Sequence, residues 1–226
     1  MVLMPQYAPL VVLAFLGTGA GVALSALGVL AAAIFRRTAL IPWVAGLGVA
    51  LVLGYSGVLF AASLKSWEQT LGPGEWKYFC EIDCHLAYAV EGVETTPTLG
   101  PPLDPLRANG RYRIVRLKSW FDRGTISPRR GDSPLSPNPR VVYVEDATGK
   151  RYAQDSAAGR ALIAAGRTSI PLITPLRPGE SYETLLVFDL PETVRSPRLY
   201  VGVHGIETLL IGHEDSPLHK KICFRI

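Results

Sequence analysis

No Asp, Glu, Lys, Arg or His occurs between Met1 and Phe35, and none between Thr38 and Leu64. The first of these absences argues against a cleaved secretory leader, which needs a basic n-region and a shorter apolar core. Both together argue against transport by this chain alone, because ionisable residues inside a span are what mark proton and ion paths. Basic runs are missing as well. The formal net charge is +4, but beyond Ser66 Lys and Arg are interspersed with Asp and Glu, so nucleic-acid binding has no support. The chain also lacks a phosphate-cradling glycine loop, a zincin helix and a Gly-x-Ser-x-Gly elbow, and Ser56, within Gly-Tyr-Ser-Gly, falls inside an apolar run. No catalytic set and no cofactor is implied.

What remains at the N-terminal end is two uncharged runs, each longer than the roughly 20 residues that cross a bilayer as helix. The expected organisation is a two-helix transmembrane anchor over residues 1–65 and an outer domain over residues 66–226. Arg36 and Arg37 are the only charges between the runs, so the positive-inside rule puts that turn in the cytoplasm and both termini outside. Tyr7 and Trp67 then fall near the outer boundary and Trp43 near the inner one, where amphipathic rings prefer to sit. Arginine outnumbers lysine and Ala, Gly and Pro abound, a composition that points to a bacterium, hence to the inner membrane with the outer domain in the periplasm. In the first run Gly17, Gly21 and Ser25 recur every four residues, a strip that lets another helix approach closely. Its partner is either the second helix or an external transmembrane neighbour.

The outer domain carries a β pattern. From Trp76 to Val90 the even positions, including Trp76, Tyr78, Cys80, Ile82 and Cys84, are apolar, and the odd ones include Lys77, Glu81, Asp83 and His85, which predicts one strand with the even residues inward. Further strands are predicted over Arg111–Phe121, Arg140–Glu145, Lys150–Ala153, Ser181–Asp189, Arg198–His204, Glu207–Ile211 and Lys220–Ile226, and one helix over Ser156–Ala165, capped by Ser156 and stopped at Gly166. Trp76, Tyr78, Trp120 and Phe188 are expected in the core. Thr96–Pro105 and Pro128–Pro139 are proline-rich breaks, either plain surface connections or arms that lie along a partner.

The segments YVEDATGKRYAQD and LRPGESYETLLVFDLP resemble uncharacterised bacterial immunoglobulin-like domains, in which a hairpin, a Pro-Gly-Glu turn and a strand ending in Pro follow in that order. The resemblance covers about residues 141–191 and implies an all-β immunoglobulin-like sandwich with one short helix that binds or scaffolds, and no catalytic residues. The Cys-x-x-x-Cys spacing of Cys80 and Cys84 after two helices is similar to the copper subunit of haem-copper oxidases. That motif wants His and Met where this chain has Tyr88 and Glu91, and an acid where it has Ile82, so the copper reading is set aside.

Four residues of strand span about 13 Å, too far for Cys80 to bridge Cys84; either could pair with Cys223, or the cysteines stay buried and reduced. Glu81, Asp83 and His85, with His213 and His219 from the tail, could supply zinc ligands, though nothing in the spacing makes them converge. His204 is expected to be structural. The leading expectation is a non-enzymatic accessory subunit that packs on a larger integral membrane complex, respiratory or photosynthetic. The alternative is a metal or redox module built on the histidines and nearby acids or thiols. A third reading is an envelope sensor with its site in the loops.

Overall fold

The computed structural model describes residues 8–79, 85–101, 105–126 and 129–226. Two helices, α1 (Ala8–Ile34) and α2 (Ile41–Leu64), form an antiparallel hairpin. Arg36, in a left-handed conformation at φ 55°, breaks α1, and Pro42 opens the first turn of α2, where its missing N–H costs nothing. Both helices are long and apolar enough to cross a membrane. Most of their side chains are uncovered, Leu24 at 68% and Leu53 at 66%, which is the surface of a helix in lipid and not of one inside a soluble core. The chain is membrane-associated through this hairpin.

An all-β sandwich with one short helix follows. Its strands are β1 (Gln69–Leu71), β2 (Lys77–Phe79), β3 (Leu86–Leu99), β4 (Leu106–Phe121), β5 (Arg140–Glu145), β6 (Arg151–Ala153), β7 (Ser181–Leu190), β8 (Arg198–Val203) and β9 (Ile222–Arg225), with α3 (Ser156–Ala164) between β6 and β7. They make a five-stranded sheet in the order β1-β9-β8-β5-β6 and a four-stranded one in the order β2-β3-β4-β7. Between the sheets lie Tyr88, Leu117, Phe121, Phe188, Leu199 and Phe224, all essentially inaccessible to solvent. A second cluster, Ile114, Val187, Ala158 and Leu162, seats α3 on the outer face of the four-stranded sheet. By compactness the chain divides into Met1–Trp67 with Gly205–Lys220, and Glu68–His204 with Lys221–Ile226.

Sequence expectation and structure part company at the first strand. Phe79 pairs with Leu86 and Lys77 with Tyr88, so the chain reverses between two antiparallel strands instead of running straight from Trp76 to Val90. The phase is also inverted: Lys77 and Phe79 are buried, while Tyr78 is exposed and donates its hydroxyl to Asp122 at 2.8 Å. Alternation misleads here because Leu86 to Val90 is covered on both faces. Cys80 and Cys84, expected to be too far apart to bridge one another, lie outside the described residues. Trp76 and Trp120 are half-buried and pack ring to ring at 5.1 Å, and Phe188 is a core residue as expected.

Two local expectations are also corrected. Glu207–Ile211 is not a strand, since Ile206–Leu209 forms a tight helical turn. The cap of α3 is Asp155, whose carboxylate accepts the N–H groups of Ala157 and Ala158, and Ser156 is the first helical residue. The β3–β4 hairpin extends into the first proline-rich break because Pro97 falls at a register shift between Thr96 and Thr98, a place where a ladder N–H is not needed.

The β5–β6 turn is held by Asp146. Its carboxylate accepts from the Thr148 hydroxyl at 2.6 Å, the Thr148 and Lys150 N–H groups and the Tyr152 hydroxyl, and Gly149 takes the left-handed conformation at φ 86° that closes the turn. Thr148 first, then these other donors, outweigh burial and hold the carboxyl at about 2, below its ordinary 3.8. A depressed carboxylate stabilises the fold above its unfolded pKa, and that contribution is lost as pH falls through the folded value. Asp146→Asn is therefore expected to lower the unfolding temperature at neutral pH and to flatten its decline between about pH 4 and about pH 2, checked by thermal unfolding of the detergent-solubilised chain.

Candidate functional site

The hairpin interface is built from the small residues. A Cβ placed on Gly21 would lie 2.7 Å from the Leu51 Cδ1, one on Gly28 3.0 Å from the Val44 Cγ1, and one on Gly48 3.1 Å from the Ser25 Cβ. Ser25 is buried and donates its hydroxyl back to the Gly21 carbonyl at 2.8 Å, so it needs no partner across the interface. Gly21 and Ser25 thus face α2, whereas Gly17 has open space beside it. On α2 a second strip was missed by the sequence reading. Gly46, Ala50, Gly54, Gly57 and Ala61 are all exposed, and a Cβ on any of the three glycines would meet nothing within 4 Å. Their spacing of four, four, three and four residues keeps them on one helix face, and the rule that singled out Gly17, Gly21 and Ser25 would have found them.

The expected metal ligands do not assemble among the described residues, where no three His, Cys, Asp or Glu side chains are placed to hold an ion. Glu81 and Asp83 lie outside those residues. His85 is buried, stacked on Phe121 at 5.6 Å, with its Nδ1 2.9 Å from the Thr125 hydroxyl. His213 accepts the Asp215 N–H on Nδ1 at 3.0 Å, and His219 directs Nδ1–H to the Lys220 carbonyl at 2.7 Å. These bonds engage one ring nitrogen of each histidine in local structure. Cys223 is a buried free thiol opposite Thr70, its Sγ 3.4 Å from the Thr70 hydroxyl; Cys80 and Cys84, its expected partners, fall outside the described residues.

An open cleft of about 620 Å³ lies beside β6 and the start of α3, lined by Asn109, Arg151, Gln154, Asp155 and Asp189 among others. Its acids are already in use. Asp189 accepts from Asn109 N, Asn109 Nδ2 and Gly110 N at 2.7 to 3.0 Å, and Asp155 caps α3. Structural hydrogen bonds to Asp155 and Asp189 shape the cleft.

The interior of the sandwich holds two cations, Lys77, which the sequence pattern placed on the outer face, and Arg140. The Lys77 ammonium donates to the Val201 carbonyl at 2.6 Å and the Ile222 carbonyl at 3.0 Å, and sits 4.9 Å from the centre of the Phe79 ring. The Arg140 guanidinium lies over the same ring at 4.3 Å and donates from Nε to the Tyr88 hydroxyl at 3.1 Å. Charges buried this way are tolerable because hydrogen bonds and ring faces replace water. Lys77→Met keeps the apolar stem and removes the donors. The expected cost is about 2–6 kcal/mol, from two carbonyls at about 1–3 each, measured as a shift in the chemical unfolding midpoint.

No protein-family model and no curated protein matches the chain. Among solved structures, it is similar to the secreted protein MPT63 from Mycobacterium tuberculosis at 11% identity, covering 73% of this chain and 100% of that one, with a TM-score of 0.43. It is similar to an uncharacterized β-sandwich protein from Clostridium difficile at 11% identity, 72% and 96% coverage and a TM-score of 0.42. It is also similar to a conserved hypothetical protein from Bacillus anthracis at 15% identity, 56% and 89% coverage and a TM-score of 0.40. At these values no family is identified and no function is transferred.

Proposed function

We propose that this protein is a non-enzymatic accessory subunit: a helical hairpin in a bacterial inner membrane carries a β-sandwich on the periplasmic side, and the hairpin packs on a larger integral membrane complex. The observation that carries the reading is the division of small residues between two faces. One set, Gly21, Gly28 and Gly48, is consumed by α1 against α2, with side chains of the opposite helix within 2.7 to 3.1 Å of where a Cβ would be. The other set, Gly46, Ala50, Gly54, Gly57 and Ala61, is open along the outer side of α2.

In lipid an apolar face gains nothing from burial as such, since the acyl chains are equally apolar, so close backbone packing is what favours association there. A glycine costs about 1 kcal/mol relative to alanine in a helix interior in water. A row of them on a face that touches nothing is best accounted for by a neighbouring helix. The periplasmic orientation rests on Arg36 and Arg37, the only ionised residues between the spans. The polar groups of the sandwich described above are engaged in turns, caps and cross-sheet ties, which favours a scaffold over a catalyst.

Affinity purification from the native membrane in mild detergent, with mass spectrometry of co-eluting chains, tests this reading. A stoichiometric set of membrane subunits is the expected result, and a monodisperse single chain would overturn it. Gly54→Leu is expected to abolish co-purification while leaving the hairpin intact. Gly21→Leu, which forces the side chain against Leu51, is expected instead to lower the thermal stability of the isolated chain.

A further inference from the structure

β8 ends at Val203 and β9 begins at Ile222, neighbours in one sheet, yet residues 204–221 between them make no tight turn. Residues 205–220 belong to the same compact unit as the two helices. Two hydrogen bonds pin this loop along α2. The Tyr55 hydroxyl donates to the Leu209 carbonyl at 2.8 Å, and the Lys220 N–H donates to the Ser66 hydroxyl at 2.7 Å, which itself donates to the Ser63 carbonyl. Tyr55 stands nine residues before Leu64, the last residue of α2, about 13 Å along the helix axis, and Ser66 lies just past that end. The loop therefore runs beside about the last two and a half turns of the second span.

Depth follows from the same geometry. The apolar run Thr38–Leu64 has 27 residues, about 40 Å of helix, against about 30 Å of hydrocarbon. Centred in a bilayer, it overhangs by about 5 Å at each end, and Tyr55, about 13 Å from the Leu64 end, starts below the hydrocarbon boundary. Its phenol can reach toward that boundary, as amphipathic side chains do, and what its hydroxyl meets there is the Leu209 carbonyl.

The composition of the loop fits that position. Ile206, Leu209, Leu210 and Ile211 are four apolar residues in six, and Ile206 and Leu209 are exposed, as is Leu218. Around them part of the backbone is closed locally. Thr208 N bonds Gly205 O, Leu210 N bonds Glu207 O, His213 N bonds Leu210 O, and the Ser216 hydroxyl adds a second bond to Leu210 O. A non-helical segment at the edge of hydrocarbon needs this closure, since water is not there to supply partners. One ionisable residue, Glu207, lies within the apolar stretch with its carboxylate turned back toward Gly205, and His213, Glu214 and Asp215 follow it, before the chain returns to Ser66 past the helix end.

We propose that the β8–β9 loop is a third membrane-contacting element, dipping into the bilayer beside the C-terminal half of α2 with Ile206 and Leu209 against lipid acyl chains. This goes beyond the accessory role and does not depend on any protein partner. The test uses the unmodified full chain in vesicles of phosphatidylethanolamine and phosphatidylglycerol doped with a phospholipid that carries a photoactivatable diazirine on its acyl chain. Labelled peptides are read by mass spectrometry, with α2 as internal positive control and the β5–β6 hairpin as negative control. Label on the peptide spanning residues 206–211 is expected together with label on α2, and Leu209→Asp should reduce it to the level of the β5–β6 peptide. A loop that stays unlabelled while α2 labels, or one whose label is indifferent to Leu209→Asp, would overturn the proposal.

Discussion

The ammonium of Lys77 sits where two strands of the five-stranded sheet stop pairing. The β8–β9 ladder joins Arg198 to Arg225 and Leu199 to Phe224, and by the same register Val201 would stand opposite Ile222. There the ladder has ended, and the carbonyls of these two residues converge on one lysine that arrives from the opposite sheet. Carbonyls left inside a sandwich without donors would each cost on the order of 1–3 kcal/mol. A lysine satisfies two at once, and the faces of Phe79 and Tyr88 accommodate the charges of Lys77 and Arg140. The parting of β8 and β9, which releases the chain into the long loop that follows, is compatible with a closed core because of this single side chain.

The two units solve the problem of small residues in opposite ways. In the sandwich, close approach is governed by backbone: a Cβ on Gly110 would collide with the Leu190 carbonyl, so no side chain fits there. In the hairpin, glycines meet flexible side chains such as Leu51, and others meet nothing at all. The first kind fixes a register; the second leaves a surface. Ion pairs do little of this work. Arg111 to Glu192 and Arg167 to Glu94 are half exposed, and such pairs contribute about 0–1 kcal/mol.

What the sequence disclosed was set by period and punctuation. Two uncharged runs gave α1 and α2, β5 was predicted over its observed bounds, β7 to within one residue, and Gly149, Gly166 and Gly179 all adopt the left-handed conformation that stops or turns the chain. The failures have physical causes. Lys77 has every mark of a solvent-facing residue, and only the third dimension shows carbonyls awaiting it. The reversal after Phe79 carries no Gly or Pro before Leu86 to announce it. The three residues of β1 are too few for any periodicity. At the candidate site the small-residue rule named Gly21 and Ser25, which face α2, and Gly17, which has open space beside it, and overlooked the second strip on α2. The loop of residues 205–220 was read as strand and tail because Ile206, Leu209 and Leu210 suit a strand, a membrane edge or a helical turn equally well.

β1 and β9 are parallel neighbours, Thr70 beside Cys223, a pairing across 153 residues of chain. Loop closure of that span must be complete before β1, whose one neighbour in the sheet is β9, gains its ladder. During synthesis β1 emerges directly after the second helix, already tethered at the membrane, and it stays without its parallel partner until β9 has been made, long after every strand of the four-stranded sheet. Completion of the five-stranded sheet is in consequence the last pairing event of the chain. Until it happens β1 is an open edge, and that interval is when a chaperone has its longest access to it.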